Sequence, residues 1–137
     1  MDRLTPERRS ENMRRIRDRD TAPEMAIRRL AHGMGFRFRL HVAALPGKPD
    51  LVFPRLRKIV EVRGCFFHQH PGCIDAHIPK SRVEYWAPKL DRNCRRDAEN
   101  LKALRAAGWK VLIVWACEID RKPASVEKRL LKFLENG

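Results

Sequence analysis

With 137 residues and 43% apolar side chains, the chain is long enough for one ordinary core and too short for two independent domains. Its 30 Lys and Arg against 17 acidic residues give a formal charge of +13, which points to a polyanionic partner, nucleic acid ahead of an anionic membrane surface; the plain alternative is a basic soluble surface with no particular ligand. No apolar run approaches the roughly 20 residues of a membrane-spanning helix, and the polar start Met1-Asp2-Arg3-Leu4-Thr5-Pro6 lacks the apolar stretch of a signal peptide, so a cytoplasmic protein with no membrane association is expected.

In chain order, Arg3, Arg8, Arg9, Arg14, Arg15, Arg17 and Arg19 surround few apolar residues, which reads as a basic arm or helix over residues 1–20. Thr21-Ala22-Pro23-Glu24 has the spacing of a capping box with Pro in the first turn, and Met25, Ile27, Leu30, Ala31 and Met34 continue a helix that ends at Gly35. Phe36, Phe38, Leu40 and Val42 alternate with Arg37, Arg39 and His41, the period of a half-buried strand. Pro46-Gly47 and Pro49 then form a turn that delivers Asp50 to a short strand running to Phe53. Lys58 to Val62 completes a hairpin with it.

A second capping-box spacing, Ser81-Arg82-Val83-Glu84, opens the longest predicted helix, with Leu90, Cys94, Ala98, Leu101 and Leu104 recurring every three or four residues to Gly108. This periodicity places Cys94 in the core. Trp109 to Trp115 is nearly continuously apolar, as expected of a strand buried on both faces after a crossover helix, and Val126, Leu130, Phe133 and Leu134 mark a terminal helix. The order α-β-β-β-α-β-α predicts a mixed sheet flanked by helices.

Chemistry concentrates between the hairpin and the long helix. Cys65, His70 and Cys73 have C-x4-H-x2-C spacing, and Cys117 follows a strand that could lie beside Ile59 to Val62. Three thiolates and one imidazole make a closed structural zinc shell, in which the ion braces a loop and leaves no position for substrate. The alternatives are buried free thiols or, against the reducing compartment, a disulfide; His68 or His77 could replace His70. Asp50, Glu61 and Arg63 are spaced P-D-x10-E-x-R, and side-chain alternation puts Glu61 and Arg63 on one strand face that hairpin pairing can turn toward Asp50. Such carboxylates suit Mg2+ and phosphodiester hydrolysis; the bland alternative is a surface ion pair of Glu61 with Arg63. His68 is either a general base or a spare zinc ligand. Phe66, Phe67 and Trp86 are either wedges that open a base step or core residues shielding the zinc.

The chain resembles the very-short-patch-repair (Vsr) DNA mismatch endonucleases from about Arg9 to Cys117. The resemblance rests on Asn12-Met13, Arg19-Asp20-Thr21, Leu45-Pro46-Gly47-Lys48-Pro49-Asp50, Gly64-Cys65-Phe66-Phe67-His68, Arg82-Val83-Glu84-Tyr85-Trp86, Lys89 with Asn93 and Arg96-Asp97, and Gly108 to Trp115 with Cys117. It implies an α/β, restriction-endonuclease-like (PD-(D/E)xK) fold that nicks DNA 5′ to the thymine of a T:G mismatch, the product of 5-methylcytosine deamination. It implies structural zinc on Cys65, His70, Cys73 and Cys117, and catalytic Mg2+ on Asp50 with the main-chain carbonyl of Val62. His68 would activate water, with Glu24 and Asp97 supporting the site. Phe66, Phe67 and Trp86 would intercalate, while Met13, Lys89 and Asn93 lie near the DNA. A cytosine-5 DNA methyltransferase is the implied functional partner.

Three positions depart from the family pattern. Glu61 stands where an apolar residue is usual, Arg63 where His or Asp is frequent, and Phe67 where Trp is usual. Glu61-Val62-Arg63 is closer to the wider superfamily motif, so Glu61 is expected to add a second carboxylate to the Mg2+ site and Arg63 to neutralise the scissile phosphate. The expected protein is a monomeric mismatch-nicking enzyme, with residues 1–20 as a DNA-contacting arm and 21–137 as a single nuclease domain. The competing expectations are a restriction or homing-type endonuclease of the same fold and a zinc-stabilised DNA-binding module without catalysis.

Overall fold

The computed structural model describes residues 21–136. The basic arm and Met13 therefore lie outside the described residues. Helix α1 spans Ala22–Gly33; strands β1 (Arg39–Leu40), β2 (Leu51–Phe53) and β3 (Lys58–Arg63) follow; then come α2 (Val83–Ala106), β4 (Lys110–Trp115), α3 (Ala116–Arg121) and α4 (Pro123–Glu135). The four strands form one mixed sheet in the order β1-β2-β3-β4, with β1, β2 and β3 antiparallel in turn and β4 parallel to β3.

Alternation along the strands sends side chains to two cores. Leu51, Phe53, Val60, Val62 and Val114 meet Ile27 and Ala31 of α1 and Val126, Leu130 and Leu134 of α4 on one face. Val52 and Ile59 meet Leu104 of α2 on the other, with Trp109 and Val111 against them. The parity that puts Val52 and Ile59 on the α2 face also assigns Asp50, Glu61 and Arg63 to it. Lys58 faces the opposite side, buried at 2% exposure, and its ammonium donates to the carbonyls of Phe133 and Asn136, closing the open end of α4.

Several expectations change. The predicted strand from Phe36 shrinks to two residues because His41 takes φ 45° and breaks the alternation; Leu40 is 41% exposed while His41 turns inward. Among the described residues β4 is an edge strand, and only Val114 in it is fully buried where burial on both faces was expected. Both capping boxes fail: Thr21 occupies the N-cap without a side-chain bond, and α2 begins one residue after Arg82 with no cap bond from Ser81. Cys94 is half-buried and outside both cores, its thiol 3.7 Å from the His68 carbonyl. The six-residue α3 had no apolar period to reveal it. Among the described residues no helix is long and apolar enough to cross a membrane.

Candidate active site and metal centre

The β2–β3 register, with Leu51 opposite Val60, sets Asp50 opposite Glu61 at the mouth of a cavity of about 820 Å³. Glu24, Asp50, Glu61, Arg63, His68 and Asp97 all line it, so the six residues read as catalytic from sequence converge. Asp50 is held by the main chain, since the Val62 N–H donates to its Oδ2 at 2.7 Å. Burial pushes the Asp50 carboxyl up to about 7, opposed by that N–H and reinforced by Glu24 and Glu61.

Glu61 and Arg63 form a partly buried ion pair at 2.9 Å. Of the two alternatives read in the sequence, the ion pair is present, and it lies in the wall of the cavity. Glu24, 7% exposed, forgoes its capping role and accepts from Arg28 Nη2 at 3.1 Å. Its Oε2 also lies 3.5 Å from His41 Nε2. His41 was missed in the sequence. Its place in an arginine-rich alternation argued for solvent, and the only signal was an imidazole beside the turn that delivers Asp50.

His68 Nδ1 is 2.6 Å from Asp97 Oδ2. A carboxylate can only accept, so Nδ1 carries a proton, and in the neutral ring Nε2 is the nitrogen with the lone pair. The loop presenting His68 is pinned from α2 by Asn93, whose Nδ2 donates to the Phe67 carbonyl at 3.2 Å, and from within by Gln69, whose Nε2 donates to the carbonyls of Phe66 and Ala76 at 2.7 and 3.0 Å. Phe66, Phe67 and Trp86 pack edge to face, with Phe66 5.2 Å from Phe67 and 5.0 Å from Trp86. Trp86 is 8% exposed and forms the base of this group, while Phe67 reaches the cavity and Lys89 sits 5.5 Å over the Trp86 ring.

Cys65, His70, Cys73 and Cys117 bring one donor atom each within 4.8 Å of one another. The parallel β3–β4 pairing is the cause, since Arg63 beside Trp115 makes both strands end at the cluster. His70 stacks on Trp115 at 4.2 Å and its Nδ1 is 3.3 Å from Cys117 Sγ. All four cysteines are free thiols, so the disulfide alternative is absent. A donor set of three sulfurs and one nitrogen fits a tetrahedral zinc ion, and His68, turned to Asp97, is separate from it. The Arg121–Asp75 ion pair at 2.9 Å ties the same loop to α3.

The family model of the DNA mismatch endonuclease Vsr matches residues 1–73, which include Asp50, His68 and three of the four zinc-type ligands. The chain is 48% identical to the type II nicking enzyme V.XorIIP of Xanthomonas oryzae pv. oryzae over 98% of this chain and 97% of that one. It is 39% identical to the DNA mismatch endonuclease Vsr of Escherichia coli over 93% of this chain and 81% of that one. The type II nicking enzyme V.NmeAIP of Neisseria meningitidis is 37% identical over 99% and 98%.

Proposed function

The chain belongs to the Vsr family of DNA mismatch endonucleases and is a DNA endonuclease, and from that premise we propose that it nicks the thymine-containing strand 5′ to a T:G mismatch by Mg2+-dependent hydrolysis. The observation that carries the chemistry is the His68–Asp97 pair beside Asp50 in one cavity. With Nδ1 held by Asp97, His68 Nε2 takes a proton from the attacking water. Asp50 and the Val62 carbonyl would hold Mg2+, which orients that water, polarises the phosphate and stabilises the leaving oxygen. Glu61 would add a second carboxylate to that ion, and Arg63, which donates to Glu61 at 2.9 Å, would neutralise the scissile phosphate.

Phe66 and Phe67 are the wedge in this reading, and Trp86 backs them. A mismatched pair costs less to unstack, so deformation contributes to selectivity. Lys89, Asn93 and the arm with Met13 lie near the DNA in this reading, with the cations of the arm and Lys89 on its backbone. Zinc on Cys65, His70, Cys73 and Cys117 braces the loop that carries His68. A restriction-endonuclease-like sheet, a monomer and functional association with a cytosine-5 DNA methyltransferase belong to the same proposal.

The test is a nicking assay on labelled duplexes with one T:G mismatch, or T:A or C:G in its place, with Mg2+ and with EDTA. Nicking only the thymine strand of the mismatched duplex, and only with Mg2+, is expected. Cleavage of both strands of paired duplexes would place the chain with restriction or homing enzymes. Binding without cleavage under any divalent ion would make it a binding module.

A further inference from the structure

The Asp50 carboxylate has two sides. Oδ2 is taken by the Val62 N–H, whereas Oδ1 faces His41 Nδ1 at 3.8 Å. That separation is too long for a hydrogen bond, and a closure of a few tenths of an ångström would bring the two donors to the spacing of neighbouring ligands on one cation with bonds of about 2.1 Å. The opposite ring nitrogen faces Glu24 Oε2, and Glu24, His41 and Asp50 each bring a donor atom within 4.8 Å of the others. His41 reaches this position in the left-handed region, φ 45°, which costs a non-glycine residue on the order of 1–3 kcal/mol and is typical of functional sites.

We propose that His41 Nδ1 and Asp50 Oδ1 hold a divalent transition-metal ion of the Mn2+ and Co2+ class, with Glu24 as the outer carboxylate that accepts the His41 Nε2–H. The inference rests on the metal-dependent reaction proposed above and deepens it: a nitrogen donor shifts an oxygen site away from Mg2+ along the Irving–Williams order. A carboxylate, an imidazole and a metal in line is a recurring arrangement, in which the carboxylate fixes the ring and raises its basicity. Arg28 Nη2 lies 3.1 Å from His41 Nε2 and donates to it in the tautomer whose proton is on Nδ1. Entry of the ion moves that ring proton to Nε2 with no net release, while Arg28 Nη2 keeps its bond to Glu24 Oε2. This position lies on the other side of Asp50 from the Val62 main chain, so it is separate from the Mg2+ position that uses the Val62 carbonyl.

The probe is Mn2+ added to the zinc-loaded protein, read by electron spin-echo modulation from a coordinated nitrogen and by Mn2+ titration. Wild type should show nitrogen modulation, His41→Gln should lose it and bind Mn2+ about 10-fold more weakly, and Glu24→Gln should keep it with affinity reduced by about 10- to 100-fold. Thermal melts of each variant separate ligand loss from unfolding. Modulation missing in wild type, or unchanged in folded His41→Gln, overturns the inference whatever the nicking assay shows. Modulation that depends on His41 in a protein that cuts no duplex supports the site and removes the proposed reaction.

Discussion

Asp97 of α2 places its Oδ2 2.6 Å from Nδ1 of His68, a residue on the loop after β3. The pair fixes both the tautomer and the direction of the imidazole. In the proposed mechanism Asp97→Asn removes the charge that would stabilise the imidazolium formed as His68 takes a proton, so kcat should fall about 10²- to 10⁴-fold. KM for DNA should move by no more than about 3-fold, because the carboxylate acts in the transition state. Single-turnover nicking separates the two; a KM change with intact kcat would mean that Asp97 only shapes the loop. His68→Ala and the double variant should be about equally slow.

The raised Asp50 pKa sets a pH dependence with a definite sign. Unfolded, the carboxyl titrates near 3.8; folded and metal-free it titrates at about 7 because burial opposes its charge. The folded state therefore binds the proton more tightly, and this group's penalty on stability is full above pH 7 and relieved as pH falls toward 4. Asp50→Asn should raise the Tm of metal-free protein at about pH 8, with the gap narrowing through about pH 5 and closing only near about pH 4. Nicking by wild type should rise with pH through about 7, and added Mg2+ should move that midpoint down by competing with the proton. Equal Tm differences at both pH values would count against a buried, ionising Asp50.

The thiol cluster predicts a steep zinc dependence. Burial pushes the Cys65 thiol up to about 12, so a metal that needs thiolates must displace protons. Zinc added to chelator-treated protein in weak buffer should release protons, and metal analysis should find zinc stoichiometric with the chain. Cys73→Ala should lower stability by at least about 2 kcal/mol, roughly 5 to 10 °C in Tm, and suppress nicking through the loop. Stability and nicking that survive exhaustive chelation would remove zinc from the account.

Phe67 reaches the cavity while Trp86 supports it from below, and the two should fail differently. Phe67→Ala is expected to lower nicking of the mismatched duplex about 10-fold or more with folding intact. Trp86→Ala should in addition destabilise the protein by about 3–5 kcal/mol, the usual result of emptying a buried aromatic site. Urea unfolding beside the nicking assay distinguishes these. Unimpaired nicking by Phe67→Ala would assign the aromatic group to shielding the loop.

The sequence was most legible where one physical rule dominates. Helix α1, helix α2, the hairpin and the parallel β3–β4 pair follow from apolar period and turn chemistry, and metal-ligand spacing anticipates the Cys65, His70, Cys73 and Cys117 cluster. Legibility failed where tertiary contacts overrule local preference. Glu24 has capping spacing but is drawn to Arg28 and His41, and Thr21 is left without a cap bond. His41 sits in an alternating pattern that its own φ of 45° breaks. The continuous apolar run of β4 resembles a central strand, yet nothing pairs its outer edge among the described residues.

The parallel pairing of β3 and β4 also governs when the enzyme can come into being. Cys65, His70 and Cys73 emerge from the ribosome with Asp50 and His68, but Cys117 follows only after all of α2 and β4. A nascent chain thus carries His68, the proposed activator of water, before the cluster beside its loop can close. In the zinc-braced reading, competence to cut DNA arrives near the end of translation, and a truncated product lacking β4 is inert toward the genome that encodes it.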